Sequence, residues 1–166
     1  MALDETRYNP MSYHNGSVWP HDNAMIATGL ARYGDSRAAT RIFQGMFDAA
    51  TYMDLRRLPE LFCGFPRFRG RGPTLYPVAC APQAWSSGAF FALLQASLGV
   101  EQDPFANVIR FRNPKLPAFL DSVVLRALKA GTGSVDLSVQ RHDDDNISLR
   151  ILERRGDIEV TALFSE

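Results

Sequence analysis

Along the first hundred residues the apolar positions recur at helical spacing. Between residues 20 and 33, Met25, Ile26, Gly29, Leu30 and Tyr33 fall on one stripe, which predicts a helix. Gly34-Asp35-Ser36 closes it and opens the next, because Gly tolerates the left-handed end position and Asp or Ser caps the following helix. Over residues 37–55 the apolar set Ala39, Ile42, Phe43, Met46, Phe47, Ala50 and Met53 repeats at three and four. Arg37, Arg41, Gln44 and Asp48 are left for water. A third helix is predicted over residues 82–98, and it differs in kind. Ala84, Trp85, Ala89, Phe90, Phe91, Leu93, Leu94 and Leu98 cover nearly its whole circumference, so burial on all sides is expected.

Past Gly99 the period changes to two. Val135, Leu137 and Val139 alternate with Asp136, Ser138 and Gln140, and Ile147, Leu149 and Ile151 alternate with Ser148 and Arg150. Ile158, Val160 and Ala162 alternate with Glu159 and Thr161. His142-Asp143-Asp144-Asp145-Asn146 and Arg155-Gly156-Asp157 read as turns. Residues 108–112 and 119–128 suggest two further strands, although 120–129 reads equally well as a helix. The expectation is an α+β chain, with helices over 1–103 and a small antiparallel sheet with one apolar face over 104–166. Three helices, one of them apolar all round, do not make a self-sufficient core. The chain therefore reads as the C-terminal part of a larger architecture, unless it assembles into an oligomer or folds around a ligand.

Composition narrows the partners. Lys+Arg and Asp+Glu both total 18, so the formal net charge is zero. That balance argues against nucleic-acid or membrane-surface binding, which draws on excess positive charge. Residues 72–100 carry no charge, yet Pro73, Pro77, Pro82, Gln83 and Gln95 interrupt any span able to cross a bilayer. The start of the chain has no basic-plus-apolar signal pattern, and the default expectation is a soluble cytoplasmic protein. Cys63 and Cys80 are too few to staple a fold of this size, and neither stands at zinc spacing from a histidine. No metal and no cofactor is implied.

The candidate chemistry lies in three places. Glu60, in Leu58-Pro59-Glu60-Leu61-Phe62, is presented from a loop because Pro59 ends the preceding helix. Apolar neighbours would raise its pKa, and Arg56 or Arg57 would lower it. The alternative is a solvated loop acid paired with an arginine. Residues 7–24 are dense in Tyr, His, Asn, Trp and Asp, side chains that stack on sugar faces or bond hydroxyls. His14, Trp19 and Asp22 are the candidates there. Against that stands a capped loop, with Trp19 as a hydrophobic staple and Asp22 serving the helix dipole. Gln83 and Trp85 open the third helix, where Gln can bond a hydroxyl and Trp can equally be core. Arg67, Arg69 and Arg71 with Gly70 and Gly72 resemble an RGG tract, but one short run in a neutral chain reads as a solvated loop. No phosphate loop and no Ser/His/Asp order stands out.

Tyr13-His14-Asn15-Gly16-Ser17-Val18-Trp19-Pro20, followed by Pro59-Glu60-Leu61-Phe62, Cys80 and Gln83-Ala84-Trp85-Ser86, resembles the amylo-α-1,6-glucosidase half of glycogen debranching enzymes. The resemblance covers roughly residues 7–100. It implies a partial (α/α)6 toroid with the active site at the ends of its inner helices, acting on an α-glucan or oligosaccharide with inversion. Glu60 would be the general base, and His14, Trp19, Gln83 and Trp85 would line the glucosyl pocket. The general acid of such enzymes comes from an earlier part of the barrel that has no counterpart here. Asp22 is the substitute inside the chain, and reads better as a helix-start residue or hydroxyl ligand. An inverting pair needs about 6.5–9.5 Å between carboxyl groups. The chain alone is therefore expected to be inactive, its partner being the missing N-terminal barrel part or a second copy. Two other readings are a non-catalytic carbohydrate-binding or subunit-interaction module, and a phosphorylase of the same toroid class, against which Glu60 weighs.

Overall fold

The computed structural model describes residues 2–143 and 146–164. Asp144 and Asp145, in the predicted turn, lie outside the described residues. Three helices come first: α1 (Pro20–Arg32), α2 (Ser36–Ala50) and α3 (Ala84–Leu98). Among the described residues six strands follow: β1 (Val100–Asp103), β2 (Val108–Arg112), β3 (Ser122–Ala130), β4 (Gly133–Arg141), β5 (Ile147–Arg155) and β6 (Glu159–Leu163). The α+β class is therefore present.

The junction of α1 and α2 follows its local chemistry. Gly34 takes φ +90°, which terminates α1, and the Asp35 carboxylate accepts the Ala38 N–H at 2.9 Å to start α2. Helix α2 stops at Ala50, short of the predicted residue 55. Leu55 and Arg56 adopt φ of 49° and 59° around a single 3-10 turn, so the chain swings away before Pro59 could act. Ala24, Ala27, Ala39, Phe43, Met46, Ala89 and Leu93 form the core among the three helices. Small residues on α1 and α3 let those two helices approach closely.

The expected all-round burial of α3 does not hold. Ala89, Leu93, Ala96 and Leu98 are buried, but Trp85 is 49% and Phe91 78% exposed. Ala84, Ser87 and Gly88 are exposed beside them. The reason is geometric: α1 and α2 pack on one side of α3, and the strand core reaches only its C-terminal end through Leu94 and Leu98. The apolar circumference outruns the structure that could cover it.

The strands also depart from a single antiparallel sheet. The described residues form two three-stranded sheets, ordered β1-β2-β6 and β3-β4-β5. In the first, β2 pairs antiparallel with β1 but parallel with β6, across the whole β3-β5 meander. A parallel neighbour needs a long crossover, and that meander supplies it. Of the segment read as 119–128, residues 122–128 are strand, in β3, and 119–121 lie outside it; none is helical. The alternating apolar positions of β2 and β4 meet in one core, where Ile109, Phe111, Val135, Leu137 and Val139 are buried. Alternation fails at Asp136, which is 6% exposed beside a register shift between Asp136 and Leu137. It receives two bonds from Arg155, at 2.9 and 3.2 Å, and the Ala127 N–H at 2.7 Å. Ile151, expected inside, is partly exposed because the core thins out beneath β5.

Candidate functional site

Backbone pairing brings the two sequence motifs together. Val18 and Phe62 exchange N–H···O bonds at 2.9 Å each, and the Cys63 N–H reaches Thr74 O at 2.9 Å. The contact is close enough to require glycine at position 64, and Gly16 is tight against its own loop. A Cβ at Gly64 would stand 1.8 Å from Gly16 O, and one at Gly16 would stand 2.4 Å from Asn9 O. The Tyr8 hydroxyl donates to Gly64 O across the same seam. A loop of residues 8–19 is thereby laid over the strand-like segment 58–63.

Glu60 sits under this seam and is 8% exposed. Its N–H donates to Cys80 O at 2.8 Å, and its Oε2 accepts the Cys80 N–H at 3.2 Å. Its Oε1 accepts the Tyr13 hydroxyl at 2.6 Å. The expected pairing with Arg56 or Arg57 is absent. Arg56 donates instead to Thr51 O, and the ion pairs of the described residues include none to Glu60. A solvated loop acid is thus excluded. The bond to the Glu60 carboxylate, then burial and the charge of that carboxylate, push the Tyr13 phenol up to about 12. At neutral pH it is a fixed donor.

From Tyr13 an aromatic chain leads outward. Its ring meets Trp19 edge-on at 4.7 Å, His14 at 4.8 Å and Tyr76 at 5.6 Å. The Trp19 indole N–H donates to Tyr13 O and Ser17 Oγ, both at 3.1 Å. Trp19 and His14 lie nearly parallel, 6.0 Å apart. His21 bridges the two indoles, with ring centroids 5.6 Å from Trp19 and 4.8 Å from Trp85. Its Nε2 is 3.0 Å from Asp22 Oδ1, while its Nδ1 is buried with no hydrogen-bond partner. Trp19 occupies the N-cap position of α1 and turns its indole back onto the loop, so it is not a staple.

The rings of His14, Trp19, His21 and Trp85 line an open cleft of about 800 Å³ between the loop, the start of α1 and Trp85. Of the residues singled out from sequence, His14, Trp19, Asp22 and Trp85 line it together. Glu60 and Gln83 do not. Gln83 is the N-cap of α3, where its Oε1 accepts the Ala84 N–H at 2.8 Å. Glu60 stands behind Tyr13, joined to the cleft through that ring and its contacts with His14 and Trp19. Sequence reasoning passed over Tyr13 and His21 although both stand inside the Tyr13-to-Ala24 segment. A phenol next to a proposed ligand histidine was the available signal for Tyr13. The Cys80 backbone N–H had no side-chain signal at all.

Among the described residues no group of three or more His, Cys, Asp or Glu side chains is placed to hold a metal ion. None of their helices is long and apolar enough to cross a membrane. No protein-family model matches the chain, and no curated protein matches it either.

Proposed function

We propose that this chain is part of a debranching-type glycoside hydrolase acting on α-glucans by inversion, with Glu60 as the general base. The observation that carries this reading is the buried, arginine-free Glu60 carboxylate, positioned at both oxygens by neutral donors. A base must hold its lone pairs toward one water. A carboxylate offers about four acceptor sites, so the Tyr13 hydroxyl and the Cys80 N–H leave others for that water. The rings of His14, Trp19 and Trp85 suit pyranose C–H faces, and Asp22 suits a hydroxyl. α1, α2 and α3 are read as a partial (α/α)6 toroid, with the bare face of α3 turned toward the missing part of the ring or a second copy.

Inverting hydrolysis needs a second carboxyl group to protonate the leaving oxygen. Asp22 begins a helix and pairs with His21, so the acid is assigned to the missing part and the chain alone is inactive. One observation favours a second reading, a non-catalytic carbohydrate-binding module: the cleft that holds both indoles does not include Glu60.

Both tryptophans of the chain line the cleft, so intrinsic fluorescence reports on it directly. Titration with maltooligosaccharides is expected to quench that emission, without release of glucose. Absence of quenching would sink the saccharide site. Robust glucose release by the pure chain, abolished by Glu60→Gln, would refute its incompleteness. Glucose release that appears on adding the missing barrel segment, and disappears with Glu60→Gln, separates the hydrolase from the binding module.

A further inference from the structure

The loop from Phe62 to Thr74 leaves a second cleft of about 530 Å³ against the C-terminal half of α2, sharing Val18, Phe65 and Pro66 with the first. Its size falls within the range of small-molecule sites and far above a packing void. Its character differs from that of the aromatic cleft. Met46, Ala49 and Phe62 supply apolar wall, and the rings of Phe65 and Phe68 line it while remaining exposed rather than folding inward.

The charges on this wall are Asp48, Arg67 and Arg71. Asp48 is already satisfied: Oδ2 takes Arg67 at 2.7 Å and Oδ1 takes the Gln44 amide at 2.8 Å. Arg67, and then Gln44, hold the Asp48 carboxyl below its usual range despite partial burial. Cys63 adds no negative charge, since burial pushes its thiol up. Among the described residues Arg71 has no carboxylate partner. Its backbone is held in place, since the Arg71 N–H donates to Phe68 O at 3.2 Å and Gly72 packs on the Tyr52 ring so closely that a Cβ there would stand 2.8 Å from Cγ, while the Arg71 side chain itself is exposed. The wall is therefore apolar with one uncompensated guanidinium.

We propose that this cleft binds a small molecule with an apolar body and a single anionic head, of the aromatic-carboxylate class, with Arg71 taking the carboxylate. A free saccharide would find few hydroxyl partners there. A multiply charged phosphate ester would leave charge unpaired. This inference does not depend on the hydrolase reading, since the clefts share only Val18, Phe65 and Pro66, and Arg71 and Met46 line the second alone.

The probe is 2-naphthoate, followed in protein carrying methyl-13C methionine. Among the described methionines only Met46 lines this cleft. Its resonance is expected to shift saturably, while those of Met11 and Met25 stay in place. Arg71→Ala and the neutral analogue 2-naphthamide should each weaken binding by about tenfold or more, the worth of one charge-assisted pair. Arg69→Ala, outside the lining, should change nothing. The proposal is overturned if Met46 does not move, if the amide binds as well as the acid, or if Arg71→Ala binds as tightly as Arg69→Ala.

Discussion

Replacing Glu60 by Gln should move a tyrosine rather than a carboxylate. Tyr13 donates to Glu60 Oε1 at 2.6 Å, and that bond, with burial and the carboxylate charge, carries its pKa from 10.0 to about 12. The amide of Glu60→Gln keeps the shape but removes the charge and weakens the acceptor, so Tyr13 should fall back toward the ordinary value. At pH 10.5 a phenol of pKa about 12 is about 3% ionised, and one of pKa about 10 is about three quarters ionised. NMR of protein labelled at tyrosine Cζ resolves the chain's five tyrosines, with Tyr13→Phe giving the assignment. Stability follows the same linkage. A group whose folded pKa is raised stabilises fully below its unfolded value, and the benefit is lost as pH climbs from about 10 to about 12. The alkaline limb of a urea-midpoint profile should therefore be shallower in Glu60→Gln. The reasoning is refuted if Tyr13 ionises near pH 10 in the native chain, or if it still titrates near 12 in the variant.

Three other outcomes are expected. Arg155, then the Ala127 N–H, lower Asp136 from 3.8 to about 2, so its contribution is present above about pH 4 and fades as pH falls toward 2. An Asp136→Asn chain should lose stability at pH 7 and show a flatter acid limb, and an unchanged limb would contradict the pairing. Gly64→Ala forces a Cβ to 1.8 Å from Gly16 O. It should cost about 1–3 kcal/mol in chemical denaturation and reduce saccharide quenching as the seam opens; full quenching would show the seam to be dispensable. Phe91→Ser should lower concentration-dependent light scattering, since Phe91 is an exposed aromatic on α3. Equal scattering from the two chains would mean that face drives no association.

Local periodicity carried the elements of this chain. Gly34 and Asp35 marked a helix junction that needs no distant partner, because capping and left-handed backbone are decided within a few residues. The twofold alternation of Val135, Leu137 and Val139 likewise placed a buried strand. Neighbours far along the chain decided the rest. Whether α3 would be covered depended on how many other elements reach it, and Phe91 stands bare because only one side is supplied. The parallel pairing of β2 with β6 and the burial of Asp136 arise from register and from Arg155, which periodicity does not see. At the site, Glu60, His14, Trp19, Asp22 and Trp85 were legible as chemistry-bearing types. That Tyr13 would hold Glu60 behind the cleft depended on a backbone seam between Gly16 and Gly64, whereas Gln83 spends its Oε1 on a local helix cap, the N–H of its neighbour Ala84. Residue types announce what chemistry is available, whereas contacts between distant segments determine which partner each group meets.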